Sequence, residues 1–142
     1  MNHRGHRGHR EEDAEINALT ERIIGAGIDV HRELGPGLLE GAYEACMCFE
    51  LARRGLGFER QKPLPVPYKG LLIECGYRLD LLVEGRVAVE LKAVDALGSI
   101  HQAQLLTYLK LSRLRVGLLL NFNVEWLRDG VKRLMNGPPA WR

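Results

Sequence analysis

Two hydrophobic runs joined by a polar turn lie at residues 76–92, GYRLDLLVEGRVAVELK. Every second side chain of an extended chain points to the same face, so residues 79, 81 and 83 form one apolar set and residues 87, 89 and 91 form another. Pairing 83 with 87, 81 with 89 and 79 with 91 brings both sets to the core. A two-residue turn would place them on opposite faces. The segment therefore predicts an antiparallel hairpin with a three-residue connection.

This register also gathers charged side chains on the other face of the hairpin. Asp80 lies opposite Glu90, and Lys92 points the same way. Two carboxylates beside a helix layer are costly to bury unless something uses them. Mg²⁺ prefers such oxygen ligands, and the carbonyl of Leu91 is a further donor. With Lys92 orienting a water, the cluster suits phosphodiester hydrolysis. The alternative is a surface hairpin with a Glu90–Lys92 ion pair and a solvated Asp80.

Outward from the hairpin, the sequence predicts an α/β domain with a mixed β-sheet flanked by helices. Apolar residues at spacings of three and four predict one helix from residue 12 to the Gly35-Pro36-Gly37 break, and a second from about 38 to 54. Three prolines spaced by two make residues 58–67 suitable only for an edge strand. A helix over 99–111, a strand over 115–122 and a last helix over 124–135 complete the order ααβββαβα.

Size and composition exclude several classes of protein. The chain has 142 residues, 46% of them hydrophobic, which fits one globular domain. It has no run of about 20 apolar residues and no signal-like start, so we expect a cytoplasmic protein without a membrane segment. Beyond the first ten residues there are 17 basic and 18 acidic side chains, a net charge of −1. Nucleic-acid binding would therefore depend on a local site rather than on overall charge.

The ends of the chain and the cysteines contribute little to this interpretation. Residues 1–11 contain a His-Arg-Gly repeat without apolar residues, which predicts a disordered tail before a single domain at 12–137. Residues 138–142 are a short C-terminal tail. Three cysteines without a CxxC spacing or a nearby histidine favour buried free thiols over a zinc site.

Several separated motifs resemble one protein family. Residues 37–43 read GLLEGAY, preceded by HREL and GP at 31–36, and the hairpin is followed by HQAQLLTYLK at 101–110 and GLLLNFN at 117–123. Together with Asp80 and the Glu90-Leu91-Lys92 triplet, these motifs are similar to the GxxExxY proteins of the PD-(D/E)XK nuclease superfamily. The likeness covers about residues 16–136. It implies a restriction-endonuclease-like fold and a metal-dependent nuclease, although Leu79 stands where the superfamily's name has proline.

The resemblance assigns roles to individual residues. Asp80 and Glu90 correspond to the metal ligands and Lys92 to the catalytic lysine, while the acid often found on the first core helix corresponds to Glu40. The glutamine and tyrosine after the hairpin correspond to Gln104 and Tyr108. Simple structural interpretations stand beside these roles. Glu40 suits a helix start, residue 43 suits the core, and the stripe containing residues 104 and 108 suits a solvent-facing helix surface.

Two functions of different class follow from the sequence. The first is a nuclease that uses Mg²⁺, or Mn²⁺ as a substitute, to cleave DNA or RNA. The second is a catalytically silent nucleic-acid-binding or protein-interaction module on the same fold. Retention of all the core polar positions favours the first, because an idle site has no reason to tolerate buried like charges. Homodimers are common among the proteins that this chain resembles, so a homodimer is a further expectation.

Overall fold

The computed structural model describes residues 3–137 as three α-helices, seven strands and one turn of 3₁₀ helix. The helices are α1 (His3–Leu34), α2 (Glu40–Arg53) and α3 (Ser99–Ser112). The strands are β1 (Phe58–Pro63), β2 (Val66–Tyr68), β3 (Leu71–Ile73), β4 (Arg78–Val83), β5 (Val87–Lys92), β6 (Val116–Asn121) and β7 (Val131–Met135). The 3₁₀ turn covers Leu127–Gly130.

Five strands form one mixed sheet in the order β1-β4-β5-β6-β7, and β2 and β3 form a separate hairpin. Only the β5–β6 pair is parallel. A parallel pair needs a crossover connection, which α3 supplies. Helices α1 and α2 pack on one face of the sheet and α3 packs on the other. The predicted fold class, a mixed sheet flanked by helices with β1 at an edge, is therefore confirmed.

The β4–β5 hairpin has the predicted register, with 81 opposite 89 and 83 opposite 87. Regular pairing of β4 with β5 ends at the 81–89 pair, so residues 79 and 91 do not pair as expected. Leu79 was expected on the face of Leu81, but it packs in the cluster on the α3 side. Opposite this point, Gln61 of β1 has a φ of 54°, which interrupts that strand between its pairs with residues 79 and 81. The irregular end of the hairpin holds Asp80.

The core lies mainly between the sheet and the first two helices. Alternate residues of β4, β5 and β6 meet Ile23 of α1 and Met47 of α2, both completely buried. A smaller cluster between the sheet and α3 contains Leu105 and Leu109. This arrangement leaves the other set of β5 side chains, which includes Glu90, on the α3 side of the sheet.

The last predicted helix is wrong. Residues 127–130 form a 3₁₀ turn, and residues 131–135 form β7, which pairs antiparallel with β6. Val124, Leu127, Val131 and Leu134 have helical spacing. These residues instead pair with the edge of β6, whose free backbone groups need hydrogen-bond partners. The spacing of apolar residues does not reveal that such an edge is present. The true order therefore ends in a strand, β7.

Gly130 allows the chain to turn from β6 into β7. A Cβ at this position would overlap the carbonyl oxygen of Asn121 and lie 3.2 Å from Val124 Cγ2. We expect Gly130→Ala to lower the free energy of unfolding by about 1–3 kcal/mol, since a backbone group must move. Gly25→Ala on α1 is the matched control. A Cβ there meets nothing within 4 Å, so it should stabilise by about 0.5–1 kcal/mol. Urea denaturation measures both, and equal effects would contradict the close approach.

The N-terminal segment and one cysteine differ from the sequence prediction. The segment predicted to be disordered, residues 1–11, enters α1 from His3 onward. Adding residues to an existing helix avoids the cost of nucleating a new one. A prediction from composition alone does not take this into account. The predicted tail at 138–142 lies outside the described residues. Cys46 and Cys48 are partly buried, whereas Cys75 is exposed, contrary to expectation. Among residues 3–137 no helix has the length and apolarity to span a bilayer.

Candidate active site

Asp80 and Glu90 lie against one another where β4 and β5 stop pairing. The amide of Leu91 donates to Asp80 Oδ2 at 2.9 Å, and the amide of Asp80 donates to Glu90 Oε1 at 3.3 Å. A backbone amide of each strand therefore holds a carboxyl group of the other strand. Glu90 is only 6% exposed, and Asp80 is half-buried. The structure thus brings together the two acids that the sequence analysis placed in one cluster.

The proximity of these acids changes the acidity of Glu90. Burial, followed by the negative charge of Asp80, raises the pKa of Glu90 to about 9, and the charge of Lys92 opposes the shift. Without a bound cation, Glu90 is therefore protonated at neutral pH. A divalent cation at this position would favour the ionised form of Glu90 instead, because its positive charge stabilises carboxylate ligands.

Lys92 is half-buried at the end of β5, two residues after Glu90. Residues 121 and 122, whose role the sequence did not explain, hold this end of the strand. The side chain of Asn121 accepts a hydrogen bond from the amide of Val94 at 3.0 Å and donates to its carbonyl at 2.9 Å. The amide of Phe122 donates to the carbonyl of Lys92 at 2.9 Å. Asn121 and Phe122 therefore position the segment that carries Lys92.

A third acid, Glu44 of α2, is connected to the pair through Gln61. Gln61 Nε2 donates to Glu44 Oε1 at 2.7 Å and lies 3.3 Å from Asp80 Oδ1, and Arg60 Nε donates to Glu44 Oε2 at 2.7 Å. Sequence reasoning missed Glu44 and Gln61. Glu40, the predicted acid, is exposed at the first position of α2, one turn away from Glu44. The signal overlooked was a charged residue directly after the buried Tyr43, in the middle of a core helix.

The remaining GxxExxY positions stabilise a turn. Gly37 has a φ of 100°, which favours glycine. The hydroxyl of the buried Tyr43 donates to the carbonyl of Gly35 at 2.6 Å and accepts from the amide of Leu38 at 3.1 Å. Its ring stacks on Phe122 at a centroid distance of 4.5 Å. Tyr43 is therefore a core residue that links the α1–α2 turn to the end of β6.

Helix α3 brings Tyr108 and Gln104 to the same side of the sheet as Glu90. Tyr108 is half-buried, and burial, followed by the charge of Glu90, raises the pKa of its hydroxyl. It therefore remains a hydrogen-bond donor at neutral pH. Gln104 is exposed, one turn before Tyr108. His101 caps the helix by accepting the amide of Gly98 at its Nδ1, at 2.9 Å.

Several arginines and lysines that could contact phosphates are engaged in ion pairs within the chain. Ion pairs join residues 53 and 54 to Glu50, 60 to Glu44, 62 to Glu59 and 115 to Asp13. A phosphate must compete with these carboxylates, although exposed pairs are worth little.

A scan against protein-family models matches residues 17–134 to the PD-(D/E)XK nuclease superfamily. The chain belongs to this superfamily. Searches of curated proteins and of solved structures returned no match at the significance threshold applied. PD-(D/E)XK nucleases generally use divalent metal ions and act on nucleic acid. In this member of the superfamily, the matched region runs from the second half of α1 into β7.

The acid pair of this PD-(D/E)XK domain fits a hard divalent cation. Its donors are carboxylate oxygens, and Glu90 is buried beside a like charge that a cation would compensate. Among residues 10–137, no group of three or more His, Cys, Asp or Glu side chains is arranged as a metal site. Two protein carboxylates would leave the remaining positions to water and substrate oxygens, which suits Mg²⁺ because it retains several waters.

Glu90 makes the stability of the metal-free domain depend on pH. Its pKa rises from 4.5 to about 9 on folding, so the folded chain binds more protons in this window. The free energy of unfolding should therefore fall as pH rises from 4.5 to 9. In EDTA, which keeps the domain free of metal, the Glu90→Gln variant should lack this pH-dependent part of the free energy of unfolding. We expect it to stabilise the domain by about 1–3 kcal/mol at pH 8.5 and much less at pH 5.

Urea denaturation at the two pH values measures this effect. Glu125→Gln, at an exposed acid near the 3₁₀ turn, is the control and should not change the pH dependence. Parallel profiles for wild type and Glu90→Gln would show that Glu90 is not the titrating group.

Proposed function

We propose that this chain is a Mg²⁺-dependent nuclease that hydrolyses phosphodiester bonds in DNA or RNA, with Mn²⁺ as a substitute. The observation that carries the proposal is the contact between Asp80 and Glu90 at the point where β4 and β5 separate, with Lys92 following on the same strand. A phosphate backbone is the ligand that combines naturally with a cation held by two carboxylates and with a nearby ammonium group.

Each residue has a role in this proposal. Asp80 and Glu90 would hold the cation, which supplies Lewis-acid polarisation of a phosphoryl oxygen and a lowered pKa of bound water. Lys92 orients the attacking water and compensates charge that develops on the phosphate. Tyr108 donates a hydrogen bond from the α3 side, and Gln104 contacts the substrate from the same helix.

Glu44 is the acid of α2 in this proposal. Its carboxylate fixes Gln61, whose amide reaches Asp80, and so holds the Asp80 carboxyl in place. Glu40 has no corresponding contact among the described side chains, so we assign it to the start of α2, where an acid is favourable.

We propose membership of the GxxExxY group, supported by the positive φ of Gly37 and the hydrogen bonds of Tyr43. We also propose a homodimer, in which basic side chains of two copies would act on one phosphate backbone and strengthen a salt-sensitive interaction. Sedimentation at several protein concentrations tests the dimer. The cytoplasmic location remains a prediction from the sequence.

The direct test is a cleavage assay on end-labelled single- and double-stranded DNA and RNA. We expect products with Mg²⁺ or Mn²⁺ and none with EDTA. If the wild type is as inert as its Lys92→Ala variant on all four substrates, catalysis is excluded under these conditions. The silent binding module then becomes the better interpretation, and chelator-independent binding would support it.

A further inference from the structure

A cleft with a volume of about 380 Å³ lies between α3 and the segment that leads into β4. Its walls include Tyr77, Ile100, Ala103, Gln104, Thr107 and Tyr108. The surface of these walls is mainly apolar, and the lining residues within 10–137 include no charged side chain. Clefts of this size, with mainly apolar walls and a few polar groups, are typical of sites for small organic ligands.

The cleft shares Gln104 and Tyr108 with the candidate active site. Tyr108 lines the cleft, and its hydroxyl also lies within the influence of the Glu90 and Asp80 charges. Tyr77 precedes Asp80 by three residues, and its carbonyl accepts the amide of Leu64 at 2.9 Å. The rings of Tyr77 and Tyr108 meet at a centroid distance of 6.3 Å and an angle of 52°. A phosphate at the acid pair would therefore have the cleft beside it.

Part of the cleft wall is exposed apolar surface. Tyr77 is 49% exposed and Ile100 is 62% exposed, so both leave apolar surface in contact with water. A nucleobase would cover this surface by stacking, and stacking on aromatic side chains is the common device for holding single strands. The Gln104 amide and the Thr107 hydroxyl supply donors and acceptors for a base edge. A charged sugar-phosphate chain would stay outside the apolar walls.

We propose that this cleft receives the base of an unpaired nucleotide next to the scissile phosphate, so that the protein acts on single-stranded or frayed nucleic acid. The inference rests on the proposed function for the position of the phosphate. A base within a duplex is stacked and paired, and it must leave the helix before it can enter such a cleft. Duplex substrates therefore bind without the contribution of the cleft.

Fluorescence anisotropy with labelled oligonucleotides tests this proposal. The probes are single-stranded DNA, single-stranded RNA and a DNA duplex of the same sequence, in buffer with Ca²⁺ to compensate the carboxylate pair. Tyr77→Ala should weaken single-strand binding roughly tenfold and leave duplex binding unchanged. Tyr77→Phe keeps the ring and should bind like wild type. Trp126→Ala is the matched control, because Trp126 is 60% exposed beside a different cavity.

Selective loss of single-strand binding in Tyr77→Ala alone would support the cleft, whether or not any probe is cut when Mg²⁺ replaces Ca²⁺. Equal loss for single strands and duplex, an equal effect of Trp126→Ala, or no binding of any strand would overturn it. Mg²⁺-dependent cleavage together with unchanged binding in Tyr77→Ala would overturn the cleft and leave the nuclease proposal standing.

Discussion

Lys92→Ala is expected to lower Mg²⁺-dependent cleavage by about 10²–10³-fold, the usual cost of removing one group that stabilises charge in a transition state. Lys92 follows the acid pair on β5, and its charge already acts on Glu90. The melting temperature should stay close to that of wild type, because Lys92 is half-buried and makes no ion pair within 4.0 Å among residues 10–137. The loss would therefore be a loss of chemistry, measured as kcat on a labelled oligonucleotide.

Lys132→Ala is the matched control for this variant. Lys132 lies exposed on β7, and β6 separates that strand from β5. The Lys132→Ala substitution also removes one positive charge, but it leaves the acid pair unchanged. Cleavage should therefore stay within about twofold of wild type, because substitutions at surface positions usually have small effects. A similar loss in both variants would indicate a general charge effect on nucleic-acid binding and would contradict a specific role for Lys92.

Asp80→Asn is expected to abolish both cleavage and the response of the fold to Mg²⁺. In wild type, Mg²⁺ at about 100 times its dissociation constant should raise the free energy of unfolding by about 2.7 kcal/mol. Asparagine retains an oxygen that can accept the amide of Leu91, so the local hydrogen bond survives while the ligand charge is lost. The variant should therefore fold normally in EDTA and gain little stability from added Mg²⁺.

Urea denaturation with and without Mg²⁺ measures this linkage independently of any substrate. Asp129→Asn, an exposed acid of the 3₁₀ turn, is the control and should respond to Mg²⁺ like wild type. If Asp80→Asn were stabilised by Mg²⁺ as strongly as wild type, the cation would bind elsewhere. The assignment of Asp80 and Glu90 as ligands would then fail, even if the protein cleaves nucleic acid.

The hairpin register and the acid pair could be read from the sequence because both are local. A three-residue connection and two alternating apolar sets allow one pairing, and that pairing brings Asp80 to Glu90. The end of the hairpin was less predictable. Leu79 leaves the face of Leu81 because the ladder stops and β1 is interrupted at Gln61. Alternation holds only while strands remain paired.

Contacts between elements that are distant along the chain could not be predicted from the sequence. Glu44 and Gln61 are 17 residues apart, on a helix and a strand, and no spacing rule relates them. Glu40 and Glu44 both suit the helix, and only the packing of α2 against β1 selects Glu44 for the Gln61 contact. Residues 131–135 have helical spacing, but they form β7 because the β6 edge offers hydrogen bonds and Gly130 permits the approach.

The amino-acid sequence by itself determined the fold class, the hairpin and the meeting of two carboxylates, because periodicity and turn length act between near neighbours along the chain. The tertiary structure decided which helix acid joins them, how Asn121 and Phe122 hold the strand that carries Lys92, and where the Tyr77 cleft opens. Those features depend on the distances between separately formed elements, which side-chain packing sets only when the sheet and its helices are assembled.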